Sequence, residues 1–230
     1  RLFGLDWDLE QIDRTLLENA PELKPYMEAM QGLRVMRRSD PSETLYTFLC
    51  TVNNHLSRIR AMVGKLARLG TPIDEVEGET IYAFPTSEVI AALPEARLRA
   101  EGFGYRAASI PAAARVLLAR PPGWLEGLAL APYEEAHAEL QSLPGVGPKV
   151  ADCVCLFGLG HTCAAPVDTH IWQAVRRLYL PEWREDKLTP ARYKASGQVL
   201  RARFGDLAGW AQQYLFYESV LNWRSRERRP

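Results

Sequence analysis

Residues 143–172 read LPGVGPKVADCVCLFGLGHTCAAPVDTHIW, a glycine hairpin followed by two helix starts. Leu143-Pro144-Gly145-Val146-Gly147-Pro148 is incompatible with a helix interior, because both prolines lack an N–H and the glycines tolerate positive φ. Pro148 suits the first position of a new helix, and apolar spacing carries that helix through Val150, Ala151, Val154, Cys155 and Leu156. A Gly-x-Gly turn opening a helix leaves backbone N–H groups pointing outward, a ready anion site. Further on, Pro166-Val167-Asp168-Thr169-His170 starts a second helix with Asp168 as its N-cap. Lys149 and Cys153 are four residues apart and share one face of the first helix. A lysine and a carboxylate thus each sit near a helix start.

Taken together, hairpin, Lys149 and Pro166-Val167-Asp168 resemble the central motif of the helix-hairpin-helix DNA glycosylases, and in detail that of the 8-oxoguanine DNA glycosylases. The similarity runs in order from about residue 5 to about residue 219. It implies a mostly α, two-lobed fold with the active cleft between the lobes. One lobe is expected at about residues 40–140 and the other from 1–39 plus 141–230, with the helix-hairpin-helix at 133–158. The implied partner is double-stranded DNA carrying a damaged base, bound by a monomer.

The resemblance assigns Lys149 as nucleophile and Asp168 as the stabilising carboxylate. An N-glycosidic bond breaks with positive charge developing on the sugar. A neutral amine can attack the anomeric carbon, expel the base and form a Schiff base, after which β-elimination cuts the strand. Burial and a helix N-terminus both favour a neutral amine. The same resemblance puts Phe216 in a stack on the flipped base, Gln212 on its Watson–Crick edge, and Cys153, Phe48 and Phe157 around it. Asn53 fills the gap left in the duplex, Tyr105 wedges beside the target, and Arg58 and Arg106 contact the orphaned cytosine. An inserted ring partly restores the stacking lost when a base is flipped. Gly145 and Gly147 offer hairpin amides to phosphate, His170 contacts another phosphate, and the carbonyls of Gln141, Leu143 and Val146 hold a structural monovalent or divalent cation. No cofactor is required.

Composition is compatible with this. At 230 residues and 47% hydrophobic content the chain can bury one large core or two smaller ones. No run of eighteen apolar residues and no basic-then-apolar leader is present, so neither a membrane span nor a signal peptide is expected. Cys50, Cys153, Cys155 and Cys163 read as reduced thiols of an intracellular protein. No cysteine follows Cys163, so the four-cysteine iron–sulfur cluster of some glycosylases is not expected. Net charge is zero, yet residues 171–230 carry 12 lysines and arginines against 6 acidic residues, ending in a basic tail from Arg224 to Arg229. That tail is equally the pattern of an ordinary solvated surface.

Helical periodicity covers 5–19 through Leu5, Leu9, Ile12 and Leu16, and 21–31 through Leu23, Tyr26, Met27 and Met30. Ser39-Asp40-Pro41 starts a helix that runs from Glu43 to about Val52, and another spans Leu56 to Leu69. Asn53 and Asn54, at the junction, would ordinarily be capping residues. Residues 71–86 suggest a short extended segment or hairpin. Helices follow through Ile90 and Leu98, then at 107–119, 124–130, 133–140, 171–179 and 192–204, with a last one from Trp210.

Three departures from the family stand out. The chain lacks an initiator Met and begins after the antiparallel β domain that precedes the helical part in better-known members; that domain supplies the carbonyl sensing the extra N–H of 8-oxoguanine. His55 stands where the family commonly has a third asparagine. Ser219 stands where an aspartate is expected, with Glu218 beside it. Three functions therefore fit: a glycosylase/lyase for 8-oxoguanine opposite cytosine, a glycosylase for another oxidised or alkylated base, or a non-catalytic DNA-binding module. Cys153, Gln212 and Phe216 favour the first, and Lys149 with Asp168 weighs against the last.

Overall fold

A computed structural model describes residues 3–36, 40–183 and 187–227, with side chains as far as Tyr217. The protein is mostly helical, as expected. It folds as two compact units, Ser39–Val154 and Arg1–Arg38 together with Cys155–Pro230. The division falls at Val154 rather than near residue 140. The hairpin stays with the first of these units because the helices on its two sides pack on each other and the one that follows it also packs on the helix after Asp40.

The discontinuous unit begins with α1 (Leu9–Asn19) and α2 (Lys24–Ala29). Asp8 caps α1, its carboxylate accepting from the Gln11 N–H at 3.0 Å. The helix thus starts only at Leu9, and Leu5, expected on its buried stripe, lies in the preceding turn at 74% exposure. Ile12, Leu16, Leu23 and Met27 are buried.

The continuous unit starts with α3 (Pro41–Thr51), whose cap Asp40 accepts from the N–H groups of Ser42 and Glu43, and α4 (Leu56–Ala67). Strands β1 (Pro72–Val76) and β2 (Glu79–Tyr82) then pair antiparallel. Their two-residue turn, Glu77-Gly78, has positive φ at both positions, matching the twist of a hairpin. Short helices follow: α5 (Ser87–Ala91), α6 (Glu95–Ala100), α7 (Arg106–Leu118), α8 (Trp124–Gly127), α9 (Tyr133–Leu140) and α10 (Pro148–Cys153). Leu45, Tyr46, Leu49, Leu66, Ile90, Leu98, Phe103 and Ile110 form the core around which α3, α5 and α7 pack.

The expected continuation of α10 to Leu156 instead widens at Val154 into a π-helical turn ending at Leu159. Gly160, at φ +82°, reverses the chain, and the His161 N–H closes on the Cys155 carbonyl at 2.8 Å. The discontinuous unit resumes there and is completed by α11 (Thr169–Leu178), α12 (Pro190–Phe204) and α13 (Ala208–Glu227). Helix α13 packs on α11, α12 and α2. Its second residue, Gly209, donates to the Thr162 carbonyl at 2.8 Å, and a β-carbon there would lie 2.5 Å from Leu156 Cδ1. Farther along, Tyr214 Oη donates to Asp13 Oδ1 at 3.0 Å, while burial raises the Asp13 carboxyl above its ordinary range. Among the described residues, no helix is long and apolar enough to cross a membrane.

Candidate active site

The hairpin between α9 and α10 closes with the Val146 N–H on the Leu143 carbonyl at 3.1 Å. Gly145 has φ +82°, and a β-carbon there would stand 2.7 Å from Ser109 Cβ and 3.2 Å from Leu49 Cδ2. Backbone conformation and close packing on α3 and α7 both require glycine. Gly147 does not use the positive φ open to it: at φ −92° and ψ 179° it is the extended cap of α10. Nothing lies within 4 Å of where its β-carbon would be, which leaves the exposed backbone open to close approach. Lys149, the second residue of α10, is half-buried, and Cys153, one turn later, is buried. Gln141 ends α9, and Leu143 and Val146 are buried.

Beyond α3 the two asparagines divide their work. Asn54 Nδ2 donates to the Cys50 carbonyl at 3.0 Å and lies 3.3 Å from Met62 Sδ, so it caps the helix. Asn53 is exposed at φ +46°, the left-handed region that asparagine tolerates better than most residues. Tyr105 donates its Oη to the Val52 carbonyl at 2.9 Å and keeps its ring half exposed. Arg106, expected at an orphaned base, is only 3% exposed. Its Nη2 bonds the carbonyls of Val52 and Asn53, the latter at 3.0 Å, and its guanidinium lies 4.5 Å from the Tyr105 ring. In this structure Arg106 holds the loop that presents Asn53. Arg58 is exposed and donates to the Gly102 carbonyl at 2.8 Å. Phe48 is half-buried on α3. Nearby, burial pushes the Cys50 thiol up to about 12, with Arg106 opposing the shift.

The other unit carries the remaining candidates. Asp168 caps α11 as the sequence predicts, Oδ1 accepting the N–H groups of His170 and Ile171 at 2.9 Å each. Both bonds go to one oxygen, so Oδ2 is not engaged in the cap. The exposed His170 ring meets Phe216 edge-on, with centroids 6.1 Å apart. On α13, Gln212 is 4% exposed, its Oε1 accepting from Gln213 Nε2 at 2.6 Å, whereas Phe216 one turn later is only half-buried. An arbitrary helix would show the reverse, a core phenylalanine beside a surface glutamine. A desolvated amide next to an accessible ring suits recognition of a flat polar ligand. Phe157 is half-buried in the π turn. The side chains of Glu218 and Ser219, and those of the tail from Arg224 to Arg229, lie outside what the structure describes.

Sequence reasoning missed Asp152, buried between Lys149 and Cys153, whose Oδ1 accepts Tyr133 Oη at 2.6 Å. Its partners Tyr133 and His137 are spaced one helical turn apart on α9, and that spacing was the available signal. Among the described residues, no group of three or more His, Cys, Asp or Glu side chains is placed to hold a metal ion.

A family model described as HhH-GPD superfamily base excision DNA repair protein matches residues 48–196. The chain is 40% identical over 190 residues to N-glycosylase/DNA lyase OGG1 of Arabidopsis thaliana, covering 81% of this chain and 52% of that protein. It is 35% identical over 217 residues to N-glycosylase/DNA lyase of Saccharomyces cerevisiae, covering 83% and 57%. The chain thus spans about half the length of these curated relatives. Among solved structures, Clostridium acetobutylicum 8-oxoguanine glycosylase/lyase, in complex with double-stranded DNA containing cytosine opposite 8-oxoG, superposes with a TM-score of 0.85 at 31% identity. That match covers 96% of this chain and 73% of the other.

Proposed function

Because the chain belongs to the HhH-GPD superfamily of base excision DNA repair proteins, we propose that it is a bifunctional DNA glycosylase and abasic-site lyase acting on 8-oxoguanine opposite cytosine. One observation carries the reading: a half-buried lysine opens the helix after the glycine hairpin, and a carboxylate caps a second helix through one oxygen only. Mere phosphate binding requires neither group at those positions. The buried Gln212 beside the accessible Phe216 supports a purine as the flipped base, and the named relatives support the lesion.

The reaction follows from the residues. Lys149 Nζ attacks C1′, the bond from C1′ to the base breaks, and the base leaves with a proton. Ring opening converts the aminal to a Schiff base, loss of a C2′ proton follows, and the C3′–O bond breaks. Asp168, its Oδ1 held by two backbone N–H groups, stabilises the positive charge of the sugar. Asn53, Tyr105 and Arg58 face the duplex, and the hairpin backbone at Gly145 and Gly147 meets phosphate. A cation held by the carbonyls of Gln141, Leu143 and Val146 would add positive charge for a phosphate. The Leu143 oxygen already accepts one N–H and keeps a second lone pair for it. The amine chemistry needs no cofactor, and the protein acts as an intracellular monomer.

Borohydride trapping on a duplex with one 8-oxoguanine opposite cytosine tests this. The wild type should give a covalent adduct and Lys149→Gln none. An adduct only on a duplex carrying an abasic site keeps the lyase and removes the lesion assignment. Failure on both duplexes removes the lysine mechanism.

A further inference from the structure

Helix α9 grips the turn that carries Lys149 at two points. Tyr133 and His137 project from the same side of α9, with ring centroids 5.5 Å apart. Tyr133 Oη donates to Oδ1 of Asp152, a carboxylate only 1% exposed, at 2.6 Å. His137 Nε2 lies 3.1 Å from the Pro148 carbonyl and 3.7 Å from Asp152 Oδ2. Pro148 directly precedes Lys149 and Asp152 follows it by three, so the two grips bracket the lysine.

Hydrogen-bond polarity fixes the state of the imidazole. A carbonyl oxygen only accepts, so His137 Nε2 carries a hydrogen toward Pro148. Gln141 Nε2 lies 3.1 Å from both His137 Nδ1 and the His137 carbonyl. An amide nitrogen only donates, so Nδ1 is an acceptor. The neutral tautomer protonated on Nε2 satisfies the contacts to Pro148 and Gln141 together. Helix α10 has only six residues before the chain widens into the π turn. So short a helix does not hold its own orientation without tertiary contacts.

We propose that His137 is a positioning residue for Lys149. Oriented by Gln141, its Nε2–H pins the Pro148 carbonyl and sets the direction from which the lysine amine meets the sugar. The inference rests on the Schiff-base reading above. A misplacement of about 1 Å at a reacting group can cost on the order of 100-fold in rate without affecting substrate binding in proportion.

The test uses the purified chain and two readouts: the dissociation constant for a duplex with an uncleavable tetrahydrofuran abasic analogue, and the single-turnover rate of the borohydride-trapped adduct on an abasic duplex. His137→Phe keeps the ring and loses both nitrogens. It should slow the adduct about tenfold or more, with binding within about threefold of wild type. His137→Gln, which returns an N–H donor, should recover most of the rate. Gln141→Leu removes the side-chain donor that selects the tautomer and keeps the backbone carbonyl, so it should slow the adduct by more than it weakens binding even if His137→Phe does not fold. Wild-type rates in His137→Phe or Gln141→Leu overturn the proposal. So does an equal loss of rate and binding that His137→Gln fails to recover. A wild type that forms no adduct, like Lys149→Gln, sinks the Schiff-base reading instead, and the same gel shows it before any variant is compared.

Discussion

The capping bonds of Asp168 go to one oxygen, and substitutions separate that cap from the proposed stabilisation of the sugar. Asn keeps an oxygen that can accept both N–H groups now bound by Oδ1. Asp168→Asn should therefore melt within about 2 °C of wild type yet lose on the order of 100-fold or more in single-turnover base release. Asp168→Ala should in addition lose about 1 kcal/mol of stability with the cap. The cap was legible because Pro-Val-Asp-Thr-His is a local signal. Arg106 was not legible as a loop support. Its acceptors are the carbonyls left beyond the end of α3, more than fifty residues earlier in the chain. Nothing in Gly-Tyr-Arg announces a guanidinium that must be buried to satisfy them. Arg106→Ala should accordingly leave the Asn53 carbonyl without its donor and the Val52 carbonyl with Tyr105 alone, and loosen Asn53, costing about 1–3 kcal/mol in urea titrations.

The hairpin shows that glycines two residues apart have different jobs. Gly145→Ala forces a β-carbon to 2.7 Å from Ser109 Cβ at a left-handed backbone, and should destabilise the protein by about 1–3 kcal/mol. Gly147→Ala meets no neighbour and needs no unusual φ, so the melting temperature should stay near wild type while affinity for undamaged duplex falls. Loss of stability in both variants would show that Gly147 serves packing alone. Both glycines were visible in the sequence, but which one carries positive φ depends on α3 and α7, which approach only Gly145. The π turn after Cys153 was equally hidden. Over six residues a run of Val, Cys, Leu and Phe fits 3.6 or more residues per turn alike. Leu5 matched a helical stripe because periodicity does not see that Asp8 starts the helix four residues later.

In the whole molecule, mostly helical architecture was legible from periodicity, caps and turn residues, whereas the point of division between units was not. It depends on which helices bury their faces together, and Tyr133 with Asp152 ties α9 and α10 into one unit. The core also sets the response to alkali. Burial raises the Cys50 thiol and the Tyr46 phenol to about 12 each, from ordinary values of 9.0 and 10.0. The unfolded chain releases these protons first, so the native state binds more protons across that interval and stability falls as pH rises. The urea midpoint should be level up to about pH 8.5 and drop progressively toward pH 11. A flat profile would show that both groups reach solvent. The arrangement of the units also bears on synthesis. Ser39–Val154 is one uninterrupted stretch and has all its partners once it leaves the ribosome. Helices α1 and α2 do not: α2 packs on α13, and Asp13 waits for Tyr214. At roughly 5–20 residues per second, the apolar faces carrying Leu16 and Met27 stay uncovered for about 10–35 s. Throughout that interval α1 and α2 are the part of this stretch most in need of a chaperone.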